Sequence, residues 1–187
     1  MTRRGFVQGL LATGLFNVFT GGAGAAQPAN PKGVEELQKN WRLLLAEGAK
    51  VPTATEPLKL ANDEWRKRLD RMAYHVLREE GTERAGTSPL NNEKRPGVFA
   101  CAGCDLPLFT SDMKYESGTG WPSFFTTIPG VFATKKDFAL FQARMEYHCI
   151  RCGGHHGHVF EDGPKPTGQR WCNNGVALKF IPKTGKA

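Results

Sequence analysis

Four of the five cysteines form two Cys-x-x-Cys pairs, Cys101 with Cys104 and Cys149 with Cys152, and the fifth, Cys172, stands alone in Arg170-Trp171-Cys172-Asn173-Asn174. Two intervening residues let both sulfurs of a pair reach one ion at ~2.3 Å, and four thiolates close a tetrahedral structural zinc site with no open position. Gly103 and the Gly153-Gly154 step suit the tight turns this requires. Residues 105–148 lie between the pairs, so a shared ion would join distant strands and constrain the unfolded chain much as a crosslink does. The pattern predicts one structural zinc. Two disulfides are the alternative, and a ligand set drawing on His155, His156 or His158 is a weaker one.

Assigning four thiols to the metal leaves Cys172 as the only free sulfur nucleophile. Arg170 lies two residues before it, and His155-His156-Gly157-His158 lies upstream. An ordinary thiol ionises near pH ~8.5, and neighbouring cations lower that value. Arg170 and an imidazole are therefore expected to favour the thiolate. A buried, inert cysteine is the plainer alternative, although Arg170, Asn173 and Asn174 make the setting polar. On a regular strand His155 and His158 point to opposite sides, whereas in a loop both can face one pocket. Trp121, between Gly120 and Pro122, sits on a turn-forming sequence. Its indole can wall a small apolar pocket or fill a core.

The elements that must carry these groups come in two textures. Val34, Leu37, Trp41, Leu44 and Leu45 recur at helical spacing and predict a short helix over 34–47, ended by Gly48. Residues 50–60 read as extended. Asn62 is an expected N-cap, followed by Asp63 and Glu64. Trp65, Leu69, Met72 and Val76 then predict one helix to about Glu80, stopping at Gly81. Beyond it, short runs are punctuated by glycine and proline. Val98–Cys101 and Phe138–Tyr147 read as strands, and Val176, Leu178 and Phe180 alternate with Ala177 and Lys179. Helices first, then a compact β domain over about 95–182, is the predicted order.

The chain has 187 residues, 40% of them hydrophobic, and a formal charge of +7. That size suits one domain with a core. Basic residues alternate with acids, as in Glu64-Trp65-Arg66-Lys67-Arg68-Leu69-Asp70, which argues against nucleic-acid binding. Residues 1–26 read as a twin-arginine-type signal peptide. Arg3-Arg4 precede an apolar run from Gly9 to Phe19, and Ala23-Gly24-Ala25 offers a cleavage site. The run is too short to span a bilayer comfortably, so no stable membrane span is expected after cleavage; an uncleaved anchor is the alternative. The expected location is a bacterial periplasm. Export of an already folded, zinc-loaded protein would protect Cys-x-x-Cys pairs from disulfide formation in that oxidising compartment. Residues 27–59 then form a linker and helical extension, and 60–187 the main domain.

Ordered blocks within that domain resemble the methionine-R-sulfoxide reductases, the B type. They are Gly81-Thr82-Glu83-Arg84, the Cys101/Cys104 pair, Ser117-Gly118-Thr119-Gly120-Trp121-Pro122-Ser123-Phe124, the Cys149/Cys152 pair, Gly157-His158-Val159-Phe160, Asp162-Gly163-Pro164, Thr167-Gly168 and Arg170-Trp171-Cys172. The resemblance covers residues 60–182. It implies a mainly β fold of two small antiparallel sheets with peripheral helices, and one structural Zn2+ on the four paired cysteines. It implies Cys172 as nucleophile, Arg170 favouring its thiolate, and Trp121 packing on the substrate methyl group. His155, His158 and Asn174 would orient and protonate the sulfoxide oxygen. The implied substrates are oxidised proteins; with threonine at 119 and every other cysteine assigned to zinc, regeneration is expected from an external, thioredoxin-like thiol, a zinc cysteine released from its site being the alternative.

Three departures stand out. The family commonly has Cys-Ile-Asn-Ser where this chain has Cys172-Asn173-Asn174-Gly175, and leucine where it has His156. Some relatives place a second, resolving cysteine at the position of Thr119, which cannot form a disulfide. Two other classes compete: a zinc-ribbon interaction module, which leaves the Cys172 region unexplained, and a peroxide-sensing thiol. Turnover of racemic methionine sulfoxide with a small dithiol separates them from an enzyme.

Overall fold

The computed structural model describes residues 31–52, 57–137 and 144–183; the signal-like residues 1–26 lie outside these. Helix α1 (Pro31–Lys39) is followed by a 3-10 turn, Trp41–Leu44. The single helix expected over 34–47 is thus shorter and tightens at its end, where Trp41 is buried and Leu43 faces solvent. This segment packs on the main domain. Trp41 joins the core, Leu37, Leu44 and Leu45 pack against it, and Gln38 donates to Thr126 Oγ1 at 2.8 Å.

The helix expected from Asn62 to Glu80 is two helices, α2 (Asn62–Arg68) and α3 (Arg71–Glu79). Ala61, not Asn62, is the first N-cap; its N–H donates to the Glu64 carboxylate at 2.9 Å. The second start is set by Asp70, whose carboxylate accepts from Ala73 N–H at 2.8 Å. That local bond competes with continuing the first helix and shifts the phase. Ala73, Tyr74, Val76 and Leu77 turn inward, while Met72 is exposed. Glu80 closes α3 in the left-handed region at φ 55.

Nine strands follow among the described residues, forming two antiparallel sheets, so the fold is mainly β with helices outside. The three-stranded sheet runs β2 (Pro107–Thr110), β1 (Gly97–Cys101), β9 (Leu178–Pro182). The six-stranded sheet runs β3 (Lys114–Tyr115), β4 (Ser123–Phe124), β8 (Arg170–Asn173), β7 (His155–Phe160), β6 (Arg144–Cys149), β5 (Phe132–Asp137). Of the strand expected over 138–147, residues 138–143 lie outside the described residues, and 144–147 fall in β6. The sheets meet through aromatic packing. Phe109 stacks on Phe124 at 3.9 Å between ring centroids, and Phe99 meets Phe124 edge-on at 5.1 Å. All three are fully buried, and each stabilises the fold by about 2–3 kcal/mol relative to exposure.

Candidate active site and metal centre

Cys172 lies on β8, an interior strand held by β4 on one side and β7 on the other. Ser123 and His158 are its directly opposed neighbours, so their side chains share its face. Arg170 and Cys172, two residues apart, also share that face, while Trp171 and Asn173 take the other. The second face is core. Trp171 meets the Tyr147 ring at 5.0 Å, and the Asn173 amide oxygen accepts from Tyr147 Oη at 2.9 Å.

The question left by the His155–His158 spacing is decided by a bulge. Glu146 pairs with His158 and Tyr147 with Gly157, but His148 pairs with His155, so β7 advances two residues while β6 advances one. The extra residue is His156, which turns into the core beside Tyr147 and Asn173. His155 thereby returns to the face of His158, their rings 5.5 Å apart and edge-to-face. Gly157 is required here. Its φ is +155, and a Cβ would run into the Cys172 carbonyl oxygen.

Each group on this face has a fixing partner. Arg170 is buried and donates through Nε and Nη2 to the two Asp162 oxygens at 2.8 and 2.9 Å. Its guanidinium also covers the Phe160 ring. His158 Nε2 lies 2.9 Å from Asp137 Oδ2, which also pairs with Arg144. His155 Nδ1 lies 3.2 Å from Glu146 Oε2. Thr119 and Arg170 both act on the Cys172 sulfur in the direction of ionisation, and Thr119 connects through Ser117 to Ser123 at 2.9 and 2.8 Å.

Burial and the charges around Cys172 act on its thiol in opposite directions. Burial pushes the Cys172 thiol above its ordinary value, and the Arg170 charge and the hydrogen bonds from Thr119 and Arg170 oppose that shift without cancelling it. Two physical reasons account for this. Arg170 is already paired with Asp162, whose own charge raises the thiol. Burial favours the neutral imidazoles: it pushes His155 down to about 4 and His156 down to about 3, and it also lowers His158 against the opposing effect of its hydrogen bond to Asp137.

Trp121 is half-buried and lies outside the buried core. Its Nε1–H donates to the Glu83 carbonyl at 3.1 Å, and its chain continues through Pro122, whose carbonyl accepts from Asn173 N–H at 2.9 Å. The Asn174 amide is fully engaged between segments. Its Oδ1 accepts from Glu83 N–H at 2.9 Å, and its Nδ2 donates to the His156 carbonyl at 3.0 Å. Glu83, unassigned by the sequence reading, connects these pieces: its buried carboxylate also accepts from the Gly175 and Val176 amides. Glu83 and Asp162 both lie in the blocks that carry the resemblance. Asp137 and Glu146 carry no comparable local signal, because only strand pairing brings them to the histidines.

The four paired cysteines converge between the sheets. Cys101 ends β1 and Cys149 ends β6, and each pair closes through a turn whose amide returns to the first cysteine's carbonyl. The nearest sulfurs belong to different pairs: Cys101 to Cys152 at 3.6 Å and Cys104 to Cys149 at 3.5 Å. All four are buried, with their sulfurs within 4.8 Å of one another. A tetrahedron of Zn–S bonds has edges of about 3.8 Å, so this donor set fits one such ion, whereas disulfide sulfurs would stand about 2 Å apart.

Sequence comparison defines the class. The chain belongs to the SelR-domain family, whose pattern matches residues 69–182. Its relatives carry one kind of name. It is 42% identical over 165 residues to peptide methionine sulfoxide reductase B1, chloroplastic, of Arabidopsis thaliana, covering 88% of this chain and 74% of that one. It is 49% identical over 128 residues to peptide methionine sulfoxide reductase MsrB of Methanosarcina barkeri, covering 68% and 90%. For the MsrB of Agrobacterium fabrum the identity is 48% over 120 residues, covering 64% and 89%.

Proposed function

We propose that this chain reduces the R epimer of methionine sulfoxide, chiefly in oxidised proteins, to methionine, with Cys172 as nucleophile. The observation that carries this is the convergence on one sheet face of Cys172, Arg170, His155 and His158, beside Thr119 and the Trp121 turn. The Cys172 sulfur attacks the sulfoxide sulfur, and the S–O bond breaks with two electrons passing to the methionine sulfur. The oxygen, carrying the thiol's proton, passes to the Cys172 sulfur as methionine leaves, so thiol and sulfoxide give methionine and a Cys172 sulfenic acid, the reversible first step of thiol oxidation. Because the histidines are neutral, the proton needed by the departing oxygen comes from the thiol, relayed by His158 across the strand pair. His155 acts as a second donor. Asn174 and Glu83 act through position, since their polar atoms hold the chain segments around Trp121 and Cys172. The indole walls the methyl side, and polar groups hold the oxygen, so one sulfur configuration fits.

Regeneration uses an external thiol of thioredoxin type. One thiol displaces water from the sulfenic acid to give a mixed disulfide, and a second releases Cys172. Thr119 beside Cys172 supports this, as no resolving thiol stands there. Cys101, Cys104, Cys149 and Cys152 hold one structural Zn2+, which joins the two sheets and takes no part in the reaction. Residues 1–26 direct export by the twin-arginine route to the periplasm. No helix among the described residues is long and apolar enough to cross a membrane.

The test is turnover of each pure epimer, free and in a peptide, with a small dithiol and with thioredoxin. The R epimer is expected to be consumed and the S epimer left. Cys172→Ser should abolish turnover with zinc retained, and substantial residual activity in that variant would refute the assignment.

A further inference from the structure

We propose that Glu146, His148 and His155 form a second metal site, for a divalent ion of zinc type, separate from the four-cysteine centre. The site lies on the same sheet face as Cys172, and its existence does not depend on the reaction proposed above.

Strand register assembles it. Glu146 and His148 are two residues apart on β6, and the bulge in β7 brings His155 opposite His148. Their three ligand atoms lie within 4.8 Å of one another. The Glu146 carboxylate stands between the rings, with Oε2 3.2 Å from His155 Nδ1 and Oε1 3.4 Å from His148 Nε2. Ligands bound to zinc at 2.0–2.1 Å are separated by about 3.3–3.4 Å at tetrahedral angles, close to the two carboxylate–imidazole spacings, of which each carboxylate oxygen makes one.

A hydrogen-bonded carboxylate–imidazole network explains the cluster less well. A charged acceptor draws an N–H donor to about 2.7–2.9 Å in good alignment. Here both His155 Nδ1 and His148 Nε2 are buried without a hydrogen-bond partner, and His155 is only 1% exposed. Buried polar nitrogens are rarely left in that condition, and each needs a reason. The second ring nitrogen of His148 faces the Gly153 carbonyl at 3.3 Å. A proton there leaves Nε2 with a free lone pair directed at Glu146, the usual outer support of a metal-bound histidine. Three protein ligands of the Glu/His/His kind leave a fourth position open for water or another donor.

The opposing charge is Lys135, whose Nζ lies 2.7 Å from Glu146 Oε1. Lys135 is half-exposed and also pairs with Glu80 at 2.8 Å, so it keeps a partner when an ion takes its place on Glu146. An ion on Nδ1 of His155 would also fix that ring as the Nε2–H tautomer, which links metal occupancy to the face that carries Cys172.

The experiment uses full-length protein with its four-cysteine site filled by zinc, titrated with Co2+ and, separately, with Zn2+ by calorimetry. One further equivalent is expected, with cobalt showing ligand-field bands and no thiolate charge-transfer band. His148→Leu and Glu146→Gln should each weaken this binding more than tenfold, Lys135→Met should strengthen it, and His75→Ala, remote on α3, should leave it unchanged. The wild-type stoichiometry stands apart from the folding of any variant. Absence of a second equivalent, a thiolate spectrum, or unchanged affinity in folded His148→Leu would overturn the proposal. Failure of turnover would not, because binding is read directly.

Discussion

The Tyr147 hydroxyl lies 3.1 Å from the backbone carbonyl of Cys172 on the core side of the sheet, opposite the Cys172 side chain, and shares its one proton between that carbonyl and Asn173 Oδ1. The same hydroxyl reaches Asn173 Oδ1, which His156 Nδ1 also approaches at 3.2 Å. Asn173 and His156, both departures from the family pattern, therefore belong to one buried network beneath β8. Tyr147→Phe should destabilise the protein by about 1–3 kcal/mol, because a buried carbonyl loses its side-chain donor. Denaturant unfolding measures this, and an unchanged midpoint would remove the network's structural role.

His156 makes the fold acid-sensitive. Burial holds its folded value at about 3, below the ordinary value of roughly 6.5. Between these limits the unfolded chain binds the proton and the folded chain does not, so stability falls as pH drops from about 6.5 towards 3. His156→Leu should be near neutral in stability at pH 7 and more stable than wild type at pH 5. Unfolding at both pH values checks the sign.

Alkylation of Cys172 should follow a midpoint above that of a free thiol, with rate rising as pH rises. Arg170→Met should move the midpoint further up, since the guanidinium favours the thiolate. Asp162→Asn should move it down, since the Asp162 charge opposes the thiolate. Mass spectrometry of the labelled, zinc-loaded protein reads each midpoint. A wild-type midpoint below the ordinary thiol value would contradict the burial argument.

After one turnover without reductant, wild-type protein should carry a sulfenic acid at Cys172. Thr119→Cys should convert this to an intramolecular disulfide, because Thr119 is tied through Ser117 to Ser123, which stands directly opposite Cys172 on the neighbouring strand. Peptide mapping distinguishes the two. A bridge from Cys172 to Cys101 in wild type would instead implicate the metal cysteines in recycling.

Stripping the four-cysteine site should separate the sheets at the end where β1 meets β6. Cys104→Ser or strong chelation should lower stability by several kcal/mol and lower the unfolding temperature, with loss of one bound zinc. Metal analysis alongside thermal unfolding tests this.

The amino-acid sequence by itself determined the four-cysteine donor set, the lone sulfur, and the division into leading helices and a β domain. These are local signals: residue type, spacing of two or three, and turn-forming glycines. Family resemblance added the roles proposed for Trp121, His155, His158 and Asn174, which spacing left open. The break at Asp70 was missed because one side-chain cap overrode a helical periodicity continuing through Met72. Tertiary structure alone decided that His155 and His158 share a face, since that follows from a bulge measured against β6. It alone put Arg170 against Asp162 and buried Cys172 enough to raise its thiol. Glu146, His148 and Lys135 likewise met His155 only through pairing of β5, β6 and β7. Such relationships depend on register between strands distant in the chain, and a one-residue change of register sends each side chain to the other face.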